Sequence, residues 1–130
     1  MIEAEANEVA VDELRWLLGG CHDWIEGHRL LGALALGGDG DVQLARGHYG
    51  IAYEIGIKAL RRAGMPQPLP ADRPANRPFF EAGKGLVHCL LQLDKREMAR
   101  EVVAQLLKFD PSDPLGLQAM LERGDAPPAV

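Results

Sequence analysis

Residues 79–121, FFEAGKGLVHCLLQLDKREMAREVVAQLLKFDPSDPLGLQAML, decide the fold. They read as helix, tight turn, helix, Asp-Pro break, helix. Apolar side chains recur in pairs four residues apart at Met98/Ala99, Val102/Val103 and Leu106/Leu107, which lays a broad stripe along one helical face. Asp94 with Glu97 three residues later has the spacing of a capping box and predicts a helix start between them. Asp110 precedes Pro111, and the residue before a proline is driven out of helical geometry, so that helix must stop. Two amphipathic helices joined by so short a turn have to pack antiparallel.

Working outward, the same signals recur. Asp23-Trp24-Ile25-Glu26 repeats the capping spacing and predicts a helix near 24–36. Gly37-Gly38-Asp39-Gly40 is a turn, and Asp41 is a good cap for a long helix near 42–63. Arg61, Arg62 and Gly64 are its stop signals. Gly47, Gly50 and Gly56 lie inside it, and each costs a helix up to about 1 kcal/mol relative to alanine. Their expected reason is the close approach of another helix backbone. Residues 65–78 carry five prolines in fourteen residues and are expected to be an extended connection. Pro78 suits a first helical turn and Asn76 its cap, giving helices near 79–93, 95–109 and 114–123. Val9, Leu14, Leu17 and Leu18 predict one further short helix near 8–18.

The chain of 130 residues is long enough for one domain with its own core, without metal or disulfide staples. Aromatic residues make up only 5%, so that core rests on aliphatic side chains. The net charge of −5 sits in residues 1–26, where seven acids face Arg15 alone, and the remainder is close to neutral. Such a field does not attract nucleic acid. No leader is visible, and the longest apolar run, Leu30 to Leu36, is interrupted by Gly32 and too short to span a membrane. Cys21 and Cys89 give no disulfide framework, so the expected setting is a reducing cytoplasm.

Leu86, Leu90, Ala99, Val103, Leu106 and Pro111 stand at the spacing of the tetratricopeptide repeat, a helix-turn-helix unit of about 34 residues, which this stretch resembles. The chain departs from the family at Val87, where glycine is usual, and at Gly83, where tryptophan is usual. Laying the first hairpin on the second pairs Leu31 with Leu86, Ala35 with Leu90, Ala45 with Ala99 and Tyr49 with Val103. The resemblance implies an all-α domain over residues 1–130. About six helices are stacked in it as antiparallel hairpins in a short right-handed superhelix. It also implies a concave face lined by the first helix of each hairpin. At those positions stand Glu26, Arg29 and Ala33 from one hairpin and Glu81, Lys84 and His88 from the other. Acid and base recur in register, which suits a polar peptide. The asparagine that family members use to clamp a C-terminal carboxylate is missing.

Reactive chemistry is sparse. No phosphate loop and no nucleophile motif is present. Cys21-His22 and His88-Cys89 join possible metal ligands, but neighbours on a helix point about 100° apart, so neither pair can hold one ion. His28 and His48 stand alone in the sequence and read as structural or solvent-facing. Glu54, within YEIGI, reads as a solvated edge residue near Lys58. The expectation is therefore a non-catalytic protein-interaction module without cofactor or metal, its partner a peptide or protein segment. Two alternatives stand beside it. One is a homodimer assembled through the region of Trp16. The other is a small-molecule binder or enzyme with a pocket under the Pro-rich segment, near Tyr53, Phe79 and Phe80.

Overall fold

The computed structural model describes residues 21–65 and 67–125. Five helices follow one another: α1 (His22–Gly37), α2 (Val42–Arg62), α3 (Arg77–Gln92), α4 (Arg96–Phe109) and α5 (Leu117–Asp125). No strand occurs among the described residues. The helix expected near 8–18, and Trp16 with it, lies outside them. The others start and end within three residues of their expected limits.

The caps explain most of those small differences. Asp41 caps α2 as expected, its carboxylate accepting from Leu44 N–H at 3.0 Å. At the other end Gly64 takes φ +84° while its N–H and that of Met65 return to Arg61 and Leu60. This is a Schellman closure. Asp94 does the same work for α3 rather than capping α4. It adopts φ +60°, its N–H bonds Leu91, and Lys95 N–H bonds Leu90 at 2.8 Å. The expected capping box is thus absent. Lys95 is the N-cap of α4, and Glu97 turns to Arg100 at 3.3 Å. Aspartate is one of the few non-glycine residues that tolerates left-handed geometry, and an αα turn this tight requires it. The Asp23–Glu26 box fails in the same way. Cys21 is the N-cap of α1, and Glu26 reaches forward to Arg29.

The Pro-rich connection is not simply extended. Leu69 and Ala71 are buried, Leu69 N–H donates to Phe109 O at 2.8 Å, and turns run from 71 to 76. Pro78 occupies the first turn of α3, which begins at Arg77. Asn76 is its N-cap residue but makes no side-chain cap. It is buried, with Nδ2 donating to Pro70 O at 2.9 Å. α4 ends where Asp110, ahead of Pro111, turns extended at φ −138°, ψ 92°. α5 starts at Leu117 instead of 114 because Asp113 captures its first amides, accepting from Leu117 N at 2.8 Å and Gln118 N at 3.1 Å.

α3 is the centre of the molecule. It packs against all four other helices, while α1 also packs on α2, and α4 on α5. Phe79 is fully buried among aromatic rings. Its ring lies parallel to that of Tyr53 at 5.6 Å and edge-on to those of Phe80 and Phe109. Among the described residues, the Tyr53, Phe79 and Phe80 rings expected near a pocket under the Pro-rich segment thus pack on one another and on Phe109. Tyr53, buried in that cluster, has its phenol pushed up to about 12 by loss of solvent. The resulting fold is a row, with α1, α3 and α5 along one side and α2 and α4 along the other.

Candidate functional site

The row α1–α3–α5 leaves a cleft of about 480 Å³. Arg29 of α1 enters it from one side, and Glu81, Lys84 and His88 of α3 from the other. Those α3 residues share a face because they recur at three and four residues. Four of the six residues read from the sequence therefore come together. Glu26 reaches the cleft only through Arg29, and Ala33 is exposed but does not line it.

Within the cleft the charges are not equivalent. Arg29 donates through Nε to Glu26 at 2.9 Å and makes a second, shorter bond to the same carboxylate. Across the gap it also meets Glu81 at 3.5 Å. Its hydrogen bond to Glu26, foremost, raises its already high pKa further. One guanidinium thus ties α1 to α3 and holds two acids in place. Lys84 and His88 are exposed and make no ion pair among the described residues. They are the groups in the cleft best placed to meet a partner.

The cleft floor is not legible in the sequence. Tyr49 comes up from α2 between two glycines. A Cβ on Gly32 of α1 would sit 3.0 Å from its ring, and one on Gly85 of α3 only 2.5 Å. Tyr49 is itself buried, and loss of solvent raises its pKa. Leu36, Leu115 and Met120 complete an apolar lining. The available signal was a glycine inside each of the two facing helices. Glycine there costs helix stability and needs an occupant for the space it leaves. A small, partly apolar cleft with a few fixed charges can hold a side chain or two of an extended segment. Glu81 is the carboxylate among its lining residues, and Arg29 engages it.

No family model, no curated protein and no solved structure matches this chain.

The remaining candidates resolve as follows. His88 is exposed and Cys89 fully buried, so the two face apart. Burial pushes the Cys89 thiol up to about 11, which leaves it unreactive. His28 and His48 correct the reading that they stand alone. They meet across α1 and α2 with Nδ1 atoms 3.3 Å apart, ring centroids 5.6 Å apart and planes at 26°. The centroid separation is the nitrogen gap plus one ring radius on each side, so the rings meet edge to edge with their nitrogens aligned. That is the alignment of a hydrogen bond, one Nδ1–H donating to the other Nδ1. No group of three or more His, Cys, Asp or Glu that could hold a metal occurs among the described residues.

Gly47 and Gly50 were expected to admit another helix backbone. A Cβ on Gly47 would meet nothing within 4 Å, and one on Gly50 only Leu86 Cδ1 at 4.0 Å. Gly56 has a close neighbour, but it is the Phe79 ring. Gly47 and Gly50 instead border an open groove of about 830 Å³ between α2 and α4, floored by Leu86 and Leu90. Among the described residues no helix is long and apolar enough to cross a membrane.

Proposed function

We propose that this chain is a non-catalytic protein-interaction module that binds a peptide or protein segment in the cleft lined by α1, α3 and α5. One observation carries the reading. Two facing helices put exposed Lys84 and His88 beside the fixed Glu26–Arg29–Glu81 cluster, over an apolar floor. A segment with a carboxylate for Lys84, a donor for Glu81 and an apolar side chain for the Tyr49 and Met120 surface matches that lining. The packing of α1 on α2 and α3, and of α3 on α4 and α5, supports the right-handed, tetratricopeptide-like superhelix that the sequence resembles. A cytoplasmic setting is in keeping with Cys21 and Cys89 as thiols.

Selection of binders from a random peptide library tests this. Peptides carrying both acidic and apolar residues should emerge, and their amide shifts should map to α1 and α3. Lys84→Glu should weaken them about tenfold, since an attractive pair becomes a repulsive one. Binders that keep full affinity for Lys84→Glu and His88→Glu together would place the interaction elsewhere.

A further inference from the structure

We infer that the outer face of the α1–α2 hairpin is a docking surface for a second copy of this chain. Exposed large apolar side chains are not spread evenly over the described residues. Of the seven, Trp24, Leu30, Leu31 and Leu34 lie on α1, Leu44 and Ile51 on α2, and Met98 alone elsewhere. The meeting of His28 with His48 fixes how the two helices face each other. Trp24, His28 and Leu31 follow at four and three residues on α1, and Leu44, His48 and Ile51 do the same on α2. The two stripes therefore lie side by side, with Leu31 near Leu44 at one end and Trp24 near Ile51 at the other. Leu34, 70% exposed, extends the patch.

Chemistry and size point to the occupant. Trp24, Leu31, Leu34, Leu44 and Ile51 carry no charge, and the imidazoles of His28 and His48 turn their Nδ1 atoms to each other rather than to water. An isologous contact sets a surface against itself, so any central charge would meet its own like. An uncharged apolar face meets that condition, and a partner selected by charge would find nothing here to read. Taking the fractional exposures with ordinary side-chain areas, Trp24, Leu31, Leu34, Leu44 and Ile51 offer on the order of 500 Å² per copy, or about 1,000 Å² in a pair. That is the size at which specific interfaces begin. Two such hairpins laid face to face make a four-helix layer, a normal helix packing. The surface is separate from the cleft of α1, α3 and α5, whose lining includes neither Trp24 nor Leu44.

Sedimentation or light scattering of the full chain at rising concentration tests the inference. The expected result is a two-chain mass at high micromolar concentration. Leu44→Glu should abolish it or weaken it about a hundredfold, because a carboxylate would be buried in an apolar contact. Leu44 is already half exposed, so the variant should keep its circular dichroism, and Leu44→Gln gives a neutral check if it does not. Ala104→Glu, on the exposed face of α4, should leave the dimer intact. A one-chain mass throughout overturns the inference, and is what cover of this face by residues 1–20 would give. A dimer that survives both Leu44→Glu and Trp24→Glu overturns it equally, since another face must then be responsible. Peptide binding in the cleft should not respond to Leu44→Glu, so failure here and failure of the cleft reading are separate outcomes.

Discussion

The two hairpins start from the same plan and end with opposite surfaces. α3 buries nine of its residues, while in α1 Ile25 is the large side chain that is fully enclosed. The pairings drawn between the hairpins make the contrast sharp. Ala45 and Ala99 are both at 0% exposure, so the crossing point inside each hairpin is the same. One turn away the equivalence breaks, with Leu31 at 45% exposure and its counterpart Leu86 at 8%. The difference lies in position, not in local sequence. Among the described residues α3 packs against four helices, whereas α1 packs against α2 and α3 alone. An apolar stripe in the sequence states that a helix face wants cover, and the rest of the chain decides whether it gets any.

The largest test of that contrast is at the Phe79–Gly56 contact, where α2 meets the second hairpin. Phe79→Ala should destabilise the fold by about 3–5 kcal/mol, because a ring in contact with three other aromatic rings leaves a cavity that stiff neighbours cannot close. Gly56→Ala approaches the same contact from the other side. Its Cβ would collide with a ring that Tyr53, Phe80 and Phe109 hold in place, at a cost of about 1–3 kcal/mol. Urea unfolding of both variants checks the pair. If Gly56→Ala were harmless, the ring would have room to move and the core would be looser than described. At Gly83, by contrast, the neighbour is the flexible end of Leu106, which can give way.

The stretch 79–121 was legible because its signals are local. Periodicity and the proline after Asp110 each act within a few residues of the structure they determine, as Gly64 does at the end of α2. Asp94 misled because aspartate suits both a helix cap and a left-handed turn, and only the path of the chain into α4 chooses between them. The cleft was half legible. Glu81, Lys84 and His88 share a face by spacing alone, and laying one hairpin on the other brought Arg29 opposite. Tyr49 and Met120 could not be found that way, since they reach the cleft from other helices and depend on the tertiary register. The same holds for His28 and His48, twenty residues apart with no motif between them.

A second difference between the hairpins is how each is tied down after its last helix. The exit from α4 is held by Asp110, which accepts from Ala71 N–H at 2.8 Å and from Ser112 N–H and Oγ. Burial alone would lift this carboxyl, but the hydrogen bonds outweigh it and hold the pKa below the ordinary value. A carboxyl depressed in the folded state contributes its full stability above the unfolded value of about 3.9, and loses it as pH falls through the folded value. Asp110→Asn should therefore cost about 1–2 kcal/mol at pH 7. The gap between variant and wild type should narrow below pH 4, as read from denaturation midpoints at several pH values. A gap that stays constant down to pH 3 would mean the carboxylate charge is irrelevant to the loop.

Gly47 gives the smallest effect and one of opposite sign to Gly56, although both lie on α2. A methyl group at Gly47 would touch nothing, so its effect is confined to the backbone. Alanine restricts the unfolded chain more than glycine and favours the helix, which amounts to about 0.5–1 kcal/mol of added stability. Thermal unfolding should be run at low protein concentration, so that self-association does not add to the measured value. Under those conditions Gly47→Ala should melt a few degrees above wild type and Gly56→Ala clearly below it. A destabilised Gly47→Ala would mean that the groove between α2 and α4 is closed in the folded protein, with side chains meeting where the structure leaves space. The sign alone thus separates a glycine kept for its own chain's packing from one that the packing does not need.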